Sequence, residues 1–363
     1  MQLFWVSLLA ASAIASSTKP WVRYFDNLVT FGDSYTDENR LGYFISHNGQ
    51  APPPGLLLPE STSTPGGGIT WDRWVSKYTG AMLFNYAVSG AVCSNEITPR
   101  WFSTINAPFP DVIYEVNAFV ADAHYINATT GTNTLYTKRR SDNTVYSIFI
   151  GTNDLGNDAF LTDSQVAEKT IPNYVDCIFD RFDTLYENGA RYLVVMNTAP
   201  LELSPQYGLP GAGGVAASHY FPDKPANITE ISGKMKEYTK LVNAYLNYRV
   251  PFELQIKDRY PGAQMAIFDI NSLMTYVYHN PGEFFTSPVN VTGFYYHCDV
   301  ATGSTCTPEP ESLDHFMWYD ELHPSQTTDE AIAHEFVKLI QGTSKYATYW
   351  HSERFGDANP SLP

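Results

Sequence analysis

The sequence predicts an α/β fold, a parallel sheet wrapped by helices, and two patterns predict it. Five short runs rich in β-branched and aromatic residues stand at 28–31, 83–87, 145–150, 192–196 and 265–268, and several are continuously apolar, as strands buried on both faces must be. Between them runs helical periodicity, for example Val112, Ile113, Val116, Phe119, Val120 and Ala123. Strand and helix in alternation give a parallel sheet rather than a sandwich or a bundle.

Further helical patterns span 164–187 and 230–259, the second interrupted at Pro251, whose missing N–H breaks or kinks a helix. Thr327 followed by Glu330 has the form of a capping box and opens the apolar series Ala331, Ile332, Phe336, Leu339 and Ile340. Three segments, 52–68, 199–225 and 280–314, are loops by composition and are expected at the sheet edge or over the cleft. No internal repeat or interdomain linker interrupts the chain, so 16–363 is expected to be a single domain.

At 363 residues, 44% of them hydrophobic, with 24 Gly and 24 Pro, the chain suits a globular protein with a substantial core and many turns. Its 38 acidic and 22 basic residues give a formal charge of −16, which repels phosphate backbones and anionic lipid surfaces; neither nucleic acid nor a membrane is an expected partner. Residues 3–15 form a short apolar run ending in Ala13-Ile14-Ala15, the pattern of a secretory signal peptide at 1–15, so the protein is expected outside the cell, as a monomer. Sequons at Asn127, Asn227 and Asn290 fit glycosylation during export. Of the four cysteines, Cys298 and Cys306 would close a short Gly- and Thr-rich loop, while Cys93 and Cys177 form either a second bridge or two separate buried thiols.

The chemistry lies in four blocks. A serine hydroxyl is a poor nucleophile until a base takes its proton, and the base needs a third group to hold its tautomer. Phe31-Gly32-Asp33-Ser34 places Ser34 after the first strand, and Asp320-Glu321-Leu322-His323-Pro324 offers His323 as base and Asp320 as its orienter. Attack on an ester carbonyl puts charge on its oxygen, which needs preorganised donors. The Ser34 backbone N–H, Gly90 in Tyr86-Ala87-Val88-Ser89-Gly90, and the Asn153 side chain in Gly151-Thr152-Asn153-Asp154 can supply them. His315, beside Asp314, is a competing base but lacks this setting. No His-Glu-x-x-His is present, and neither a metal nor a cofactor is expected.

These four blocks, in this order, resemble those of the SGNH (GDSL-type) hydrolase superfamily. The resemblance implies a three-layer α/β/α, flavodoxin-like fold with a five-stranded parallel sheet and long loop insertions. It also implies a catalytic triad of Ser34, His323 and Asp320, with Ser34, Gly90 and Asn153 as oxyanion donors. The blocks around Phe31-Gly32-Asp33-Ser34-Tyr35-Thr36-Asp37 and Thr70-Trp71-Asp72-Arg73-Trp74 are similar to those of fungal secreted acetyl esterases of carbohydrate esterase family 16. That family implies acetyl removal from hemicellulose-derived oligosaccharides; a lipase or phospholipase of the same superfamily, or a silent sugar-binding protein, are the alternatives. Tyr35, Trp71 and Trp318 are candidate substrate contacts because aromatic rings stack on sugar faces, although core packing is the other role open to them.

Overall fold

The central sheet has six strands: β1 (Asn27–Gly32), β2 (Met82–Asn85), β3 (Thr144–Phe149), β4 (Tyr192–Met196), β5 (Gln264–Phe268) and β6 (Ala347–His351), in the order β6-β5-β4-β3-β1-β2. The structure is a computed structural model that describes residues 20–352, so the signal peptide expected at 1–15 lies outside the described residues. Strands β1 to β5 are parallel, as expected, and take the flavodoxin-like order. The sixth strand corrects the five-stranded expectation: β6 pairs antiparallel with β5, Ala347 opposite Phe268 and His351 opposite Gln264. Its Ala-Thr-Tyr-Trp-His sequence is only half-buried at the sheet edge and lacks the continuous apolar signal of the inner strands.

Strands β1, β3 and β4 are buried along their whole length, Leu28, Val29 and Phe31 on β1 and Val145 and Ile148 on β3 among them. Such runs form strands because both faces are covered by helices. These are α1 (Arg40–Ser46), α2 (Trp71–Thr79), α3 (Val112–His124), α4 (Thr152–Leu155), α5 (Ile171–Glu187), α6 (Ile228–Pro251), α7 (Ile270–His279) and α8 (Gln326–Ile340). Helix α2 packs on α8 and α8 on α7, whereas α3 packs on α5 and α5 on α6, giving a helical layer on each face.

Boundaries differ from the sequence reading where capping chemistry decides them. Helix α5 begins at Ile171, not 164, because Thr170 and Asn173 form a reciprocal cap with Pro172 in the first turn. From there Tyr174, Ile178, Phe182 and Leu185 bury one stripe of its surface, each contributing about 1.5–3 kcal/mol. Helix α8 is capped by Ser325, whose side chain accepts from Thr328 N–H, so the expected Thr327 cap gives way to one two residues earlier. The α-helical ladder of α6 stops at Pro251, and a π turn continues through Phe252–Ile256.

Both cysteine pairs are bridged: Cys298–Cys306, and also Cys93–Cys177, which excludes the separate thiols left open by the sequence. The longer bridge, 84 residues apart, ties the loop after β2 to α5. In the chain-entropy account it stabilises by about 4–5 kcal/mol, against about 2–3 kcal/mol for the short one. The segment 280–314 is not all loop. Tyr296–Cys298 pairs antiparallel with Cys306–Pro308, and Asn290–Phe294 runs parallel to Phe316–Trp318. The segment 199–225 is well packed, with Tyr207, Ser218 and Phe221 buried and Lys224 Nζ donating to the carbonyls of Gln206 and Val215 at 2.6 Å each.

From β1 the chain passes outward to β2 and then returns to β3 on the other side, so the strand order reverses at β1. In open α/β sheets, ligands bind in the crevice at the carboxyl ends of the strands where that reversal occurs.

Candidate active site

Ser34 lies two residues beyond the end of β1, at this crevice, and is 7% exposed. Gly32 lets the turn form. It sits at φ +152°, and a Cβ there would lie 2.1 Å from the carbonyl oxygen of Phe149 at the end of β3. The Asp33 carboxylate accepts from Tyr35 N–H at 3.0 Å, and burial pushes this carboxyl up to about 6.

His323 arrives from the far end of the chain, 289 residues on, and its Nε2 stands 2.8 Å from Ser34 Oγ. Its Nδ1 lies 2.9 Å from both carboxylate oxygens of Asp320. An ionised carboxylate only accepts, so Nδ1 carries the hydrogen and Nε2 is left to accept from the Ser34 hydroxyl. Asp320 Oδ1 also accepts from Leu322 N–H at 2.9 Å and His323 N–H at 2.7 Å. Burial alone would raise this carboxyl, yet the imidazole of His323 and these donors hold it below its ordinary value of 3.8. The histidine loop is fastened on three sides. Tyr35 Oη donates to Leu322 O at 2.6 Å, Gln206 N–H donates to Glu321 O at 2.7 Å, and Tyr319 N–H donates to His323 O at 2.8 Å.

The two other residues singled out in the sequence lie at the neighbouring strand ends, Gly90 after β2 and Asn153 in α4 after β3. Gly90 adopts φ +85°, and a Cβ would meet the Phe109 ring at 2.5 Å, so glycine is required twice over. Asp37 holds this loop to the serine turn, its Oδ2 accepting from Ser89 N–H at 2.8 Å and Ser89 Oγ–H at 2.7 Å. Glu115 of α3 does the same from beneath. It accepts from Gly32 N–H at 2.8 Å and Val88 N–H at 3.1 Å, while burial raises its carboxyl well above the usual range. Asn153 donates one Nδ2–H to Ala91 O at 2.9 Å, and its Oδ1 accepts from the Arg100 guanidinium. Neither Ser34 N–H nor Gly90 N–H is given to an acceptor among the described residues.

The three aromatic residues expected to touch substrate are corrected by burial. Trp71 is 0% exposed, packs on Phe336 and donates to Thr36 Oγ1 at 3.1 Å. Trp318, also 0% exposed, donates to Val291 O at 3.0 Å, and the hydroxyl of the buried Tyr35 is spent on Leu322. None has a free face. His315 Nδ1 bonds Thr286 O at 2.8 Å, the hydrogen-bonded loop role rather than that of a second base. The sequon residues differ in setting: Asn227 is exposed and caps α6, while Asn127 and Asn290 are half-buried and accept from Thr129 N–H and Gly293 N–H.

Two residues near the Ser34–His323–Asp320 cluster carry no motif and were missed in the sequence. Tyr220, from the packed 199–225 segment, donates to Asp320 Oδ2 at 2.8 Å. Arg100 reaches Asn153 from the irregular stretch just before a short hairpin, Trp101–Phe102 with Ala107–Pro108. Asp154, next to Asn153, could have been read from its block. It accepts from Cys93 N–H at 3.0 Å and Thr98 Oγ1–H at 3.2 Å, and burial pushes it up to about 7.

Comparison with known proteins bears out the GDSL-type family resemblance. A family model described as GDSL-like Lipase/Acylhydrolase matches residues 28–336. An acetylesterase of Hypocrea jecorina is 42% identical over 328 residues, which cover 90% of this chain and 92% of that protein. An acetylesterase of Thermothelomyces thermophilus is 23% identical over 319 residues, covering 87% of this chain and 88% of its own. Among solved structures, LAE5, an α/β hydrolase from the metagenome of Lake Arreo, covers 89% of this chain and 97% of its own at 12% identity and a TM-score of 0.39.

Proposed function

This chain belongs to the GDSL-like lipase/acylhydrolase family and is a carboxylic ester hydrolase, and we propose that it is a secreted, monomeric serine esterase that removes acetyl groups from hemicellulose-derived oligosaccharides. The observation that carries the mechanism is the 2.8 Å approach of His323 Nε2 to Ser34 Oγ.

In this reading His323 Nε2 takes the Ser34 proton as Oγ bonds to the acetyl carbon, and the carbonyl π pair moves onto oxygen. The resulting alkoxide receives hydrogen bonds from Ser34 N–H, Gly90 N–H and the second Nδ2–H of Asn153. Collapse breaks the C–O bond to the sugar, whose oxygen leaves with the proton held on His323, and acetyl-Ser34 remains. Water then attacks in the same sense, its proton passing to His323 and back to Ser34 Oγ, and acetate departs. Asp320 stays ionised throughout, holding Nδ1–H and balancing the imidazolium; its depressed affinity for protons supports that role.

The acetyl preference rests on the acetylesterase of Hypocrea jecorina, similar over nine-tenths of this chain. Export is supported by two disulfides and by the exposed sequon residue Asn227. Initial rates on acetylated xylo-oligosaccharides and on long-chain acyl esters test the substrate class. Release of acetate from the oligosaccharides at a kcat/KM well above that for the long-chain esters is expected. The reverse order makes the protein a lipid esterase, and binding of the oligosaccharide without turnover of any ester makes it a silent binding protein.

A further inference from the structure

We propose that Arg100 is a positioning residue for Asn153: it fixes which end of the amide faces the reacting carbonyl and sets a positive charge behind the donor. The inference rests on the esterase reading above and names a part that reading does not contain.

Arg100 is delivered rigidly. Its N–H donates to Asn95 Oδ1 at 3.0 Å, and its carbonyl accepts from Phe109 N–H at 2.9 Å. Asn95 Nδ2 in turn holds Phe109 O at 2.8 Å. The guanidinium lies 5.4 Å from the centroid of the Phe109 ring, the same ring that a Cβ on Gly90 would strike, so one hairpin base borders both the Gly90 and Asn153 donors. Phe102 stacks on Phe109 at 4.5 Å and backs that wall.

A side-chain amide has two orientations, and only one of them is useful here. With Nδ2 toward Ala91 O and Oδ1 toward Arg100, both ends are satisfied and the second N–H points elsewhere; turned over, an oxygen would face a carbonyl and an NH2 would face a cation. Arg100 therefore forbids the orientation that would present a lone pair to the developing alkoxide.

The charge itself needs an explanation. Arg100 is only partly exposed, and burial lowers its affinity for its proton. No carboxylate forms an ion pair with it among the described residues; Asp33, Asp154 and Asp158 act on it only across space. A desolvated guanidinium whose hydrogen-bond acceptor is a neutral amide is costly in the resting protein. The cost falls when negative charge appears on the far side of that amide, as it does in the tetrahedral intermediate. Donation to Oδ1 also draws electron density away from Nδ2, so each N–H becomes a better donor when the alkoxide forms.

Turnover of p-nitrophenyl acetate by Arg100→Met, Arg100→Lys, Asn153→Ala and the Arg100→Met/Asn153→Ala double variant tests this, with Ser34→Ala measured alongside. Arg100→Met should lower kcat by about 10²-fold with little change in KM, and Arg100→Lys, which keeps the charge without the fork, should recover part of it. In the Asn153→Ala background, Arg100→Met should cost less than about threefold, because its partner is already gone. Full multiplication of the two losses would overturn the inference, as would wild-type kcat in Arg100→Met. Should Arg100→Met not fold, Arg100→Lys with and without Asn153→Ala reads the same coupling. A Ser34→Ala variant that still turns over removes the esterase reading itself, whereas an inert Ser34→Ala beside a wild-type Arg100→Met removes this inference alone.

Discussion

The phenol of Tyr220 donates to Asp320 Oδ2 at 2.8 Å, and its ring stands edge-on to the imidazole of His323, 5.3 Å between centroids. A residue 100 positions upstream of Asp320 thus completes the hydrogen-bond shell of its carboxylate. Asp320 then has four donors, namely this hydroxyl, His323 Nδ1–H and the backbone N–H groups of Leu322 and His323.

Removing that hydroxyl has a defined sign. In Tyr220→Phe the carboxylate of Asp320 loses one of its four donors and is held less firmly against the His323 ring, so kcat should fall with little change in KM. A hydrogen bond to a charged group is worth about 1.5–3 kcal/mol, which sets an upper bound of about 10²-fold on the loss of rate. Steady-state kinetics on a soluble acetyl ester check it; wild-type kcat in Tyr220→Phe would detach Tyr220 from the proposed mechanism.

Asn153→Ala should lower kcat by about 10²–10³-fold and leave KM nearly unchanged, because an oxyanion donor acts only once the charge has formed. Steady-state kinetics on a soluble acetyl ester decide this. A rise in KM at constant kcat would make Asn153 a substrate-binding group instead.

Buried carboxyls make stability depend on pH. Burial raises Asp33 to about 6 and Asp154 to about 7, above the 3.8 of an exposed aspartate. A carboxyl raised in the folded state contributes stability that is complete below the unfolded value and is lost as pH rises through the folded one. Asp154 therefore costs stability progressively between about pH 4 and pH 7. Asp154→Asn, which cannot ionise, should melt closer to the wild type, or above it, as pH rises from 5 to 8. Calorimetric Tm values for both proteins at each pH test this, and a Tm difference constant across that range would contradict it.

Trp318→Ala should act on folding rather than on substrate. Emptying the volume of a fully buried indole costs about 3–5 kcal/mol, and the Val291 carbonyl loses its donor. Thermal melts should register a large drop, while KM for acetylated oligosaccharides stays near wild type at a temperature where the variant is folded. A selective rise in KM with an unchanged Tm would restore Trp318 as a substrate contact.

Much of the fold was legible because burial on both faces writes itself into composition. The strands at 192–196 and 265–268 needed no long-range information, since an unbroken apolar run has few other uses. The edge strand Ala347–His351 escaped because only part of it is buried, so its pattern is that of any amphipathic segment. Gly90 and Asn153 stood out because each sits in a short block at a strand end. Arg100 and Tyr220 act through side chains carried by irregular segments, 53 and 100 residues from their partners, and no periodicity or spacing records such a meeting. Trp71 and Trp318 were misassigned for a related reason: a tryptophan looks the same in sequence whether its ring faces a sugar or the core.

The proposed reaction begins at the hydroxyl of Ser34. Ser34→Ala, confirmed folded by its melting curve, should lose about 10⁶-fold in kcat on p-nitrophenyl acetate, the order expected when a triad nucleophile is removed. Turnover by Ser34→Ala within tenfold of the wild type would contradict the account, because the bond to the acetyl carbon would then be made by some other group.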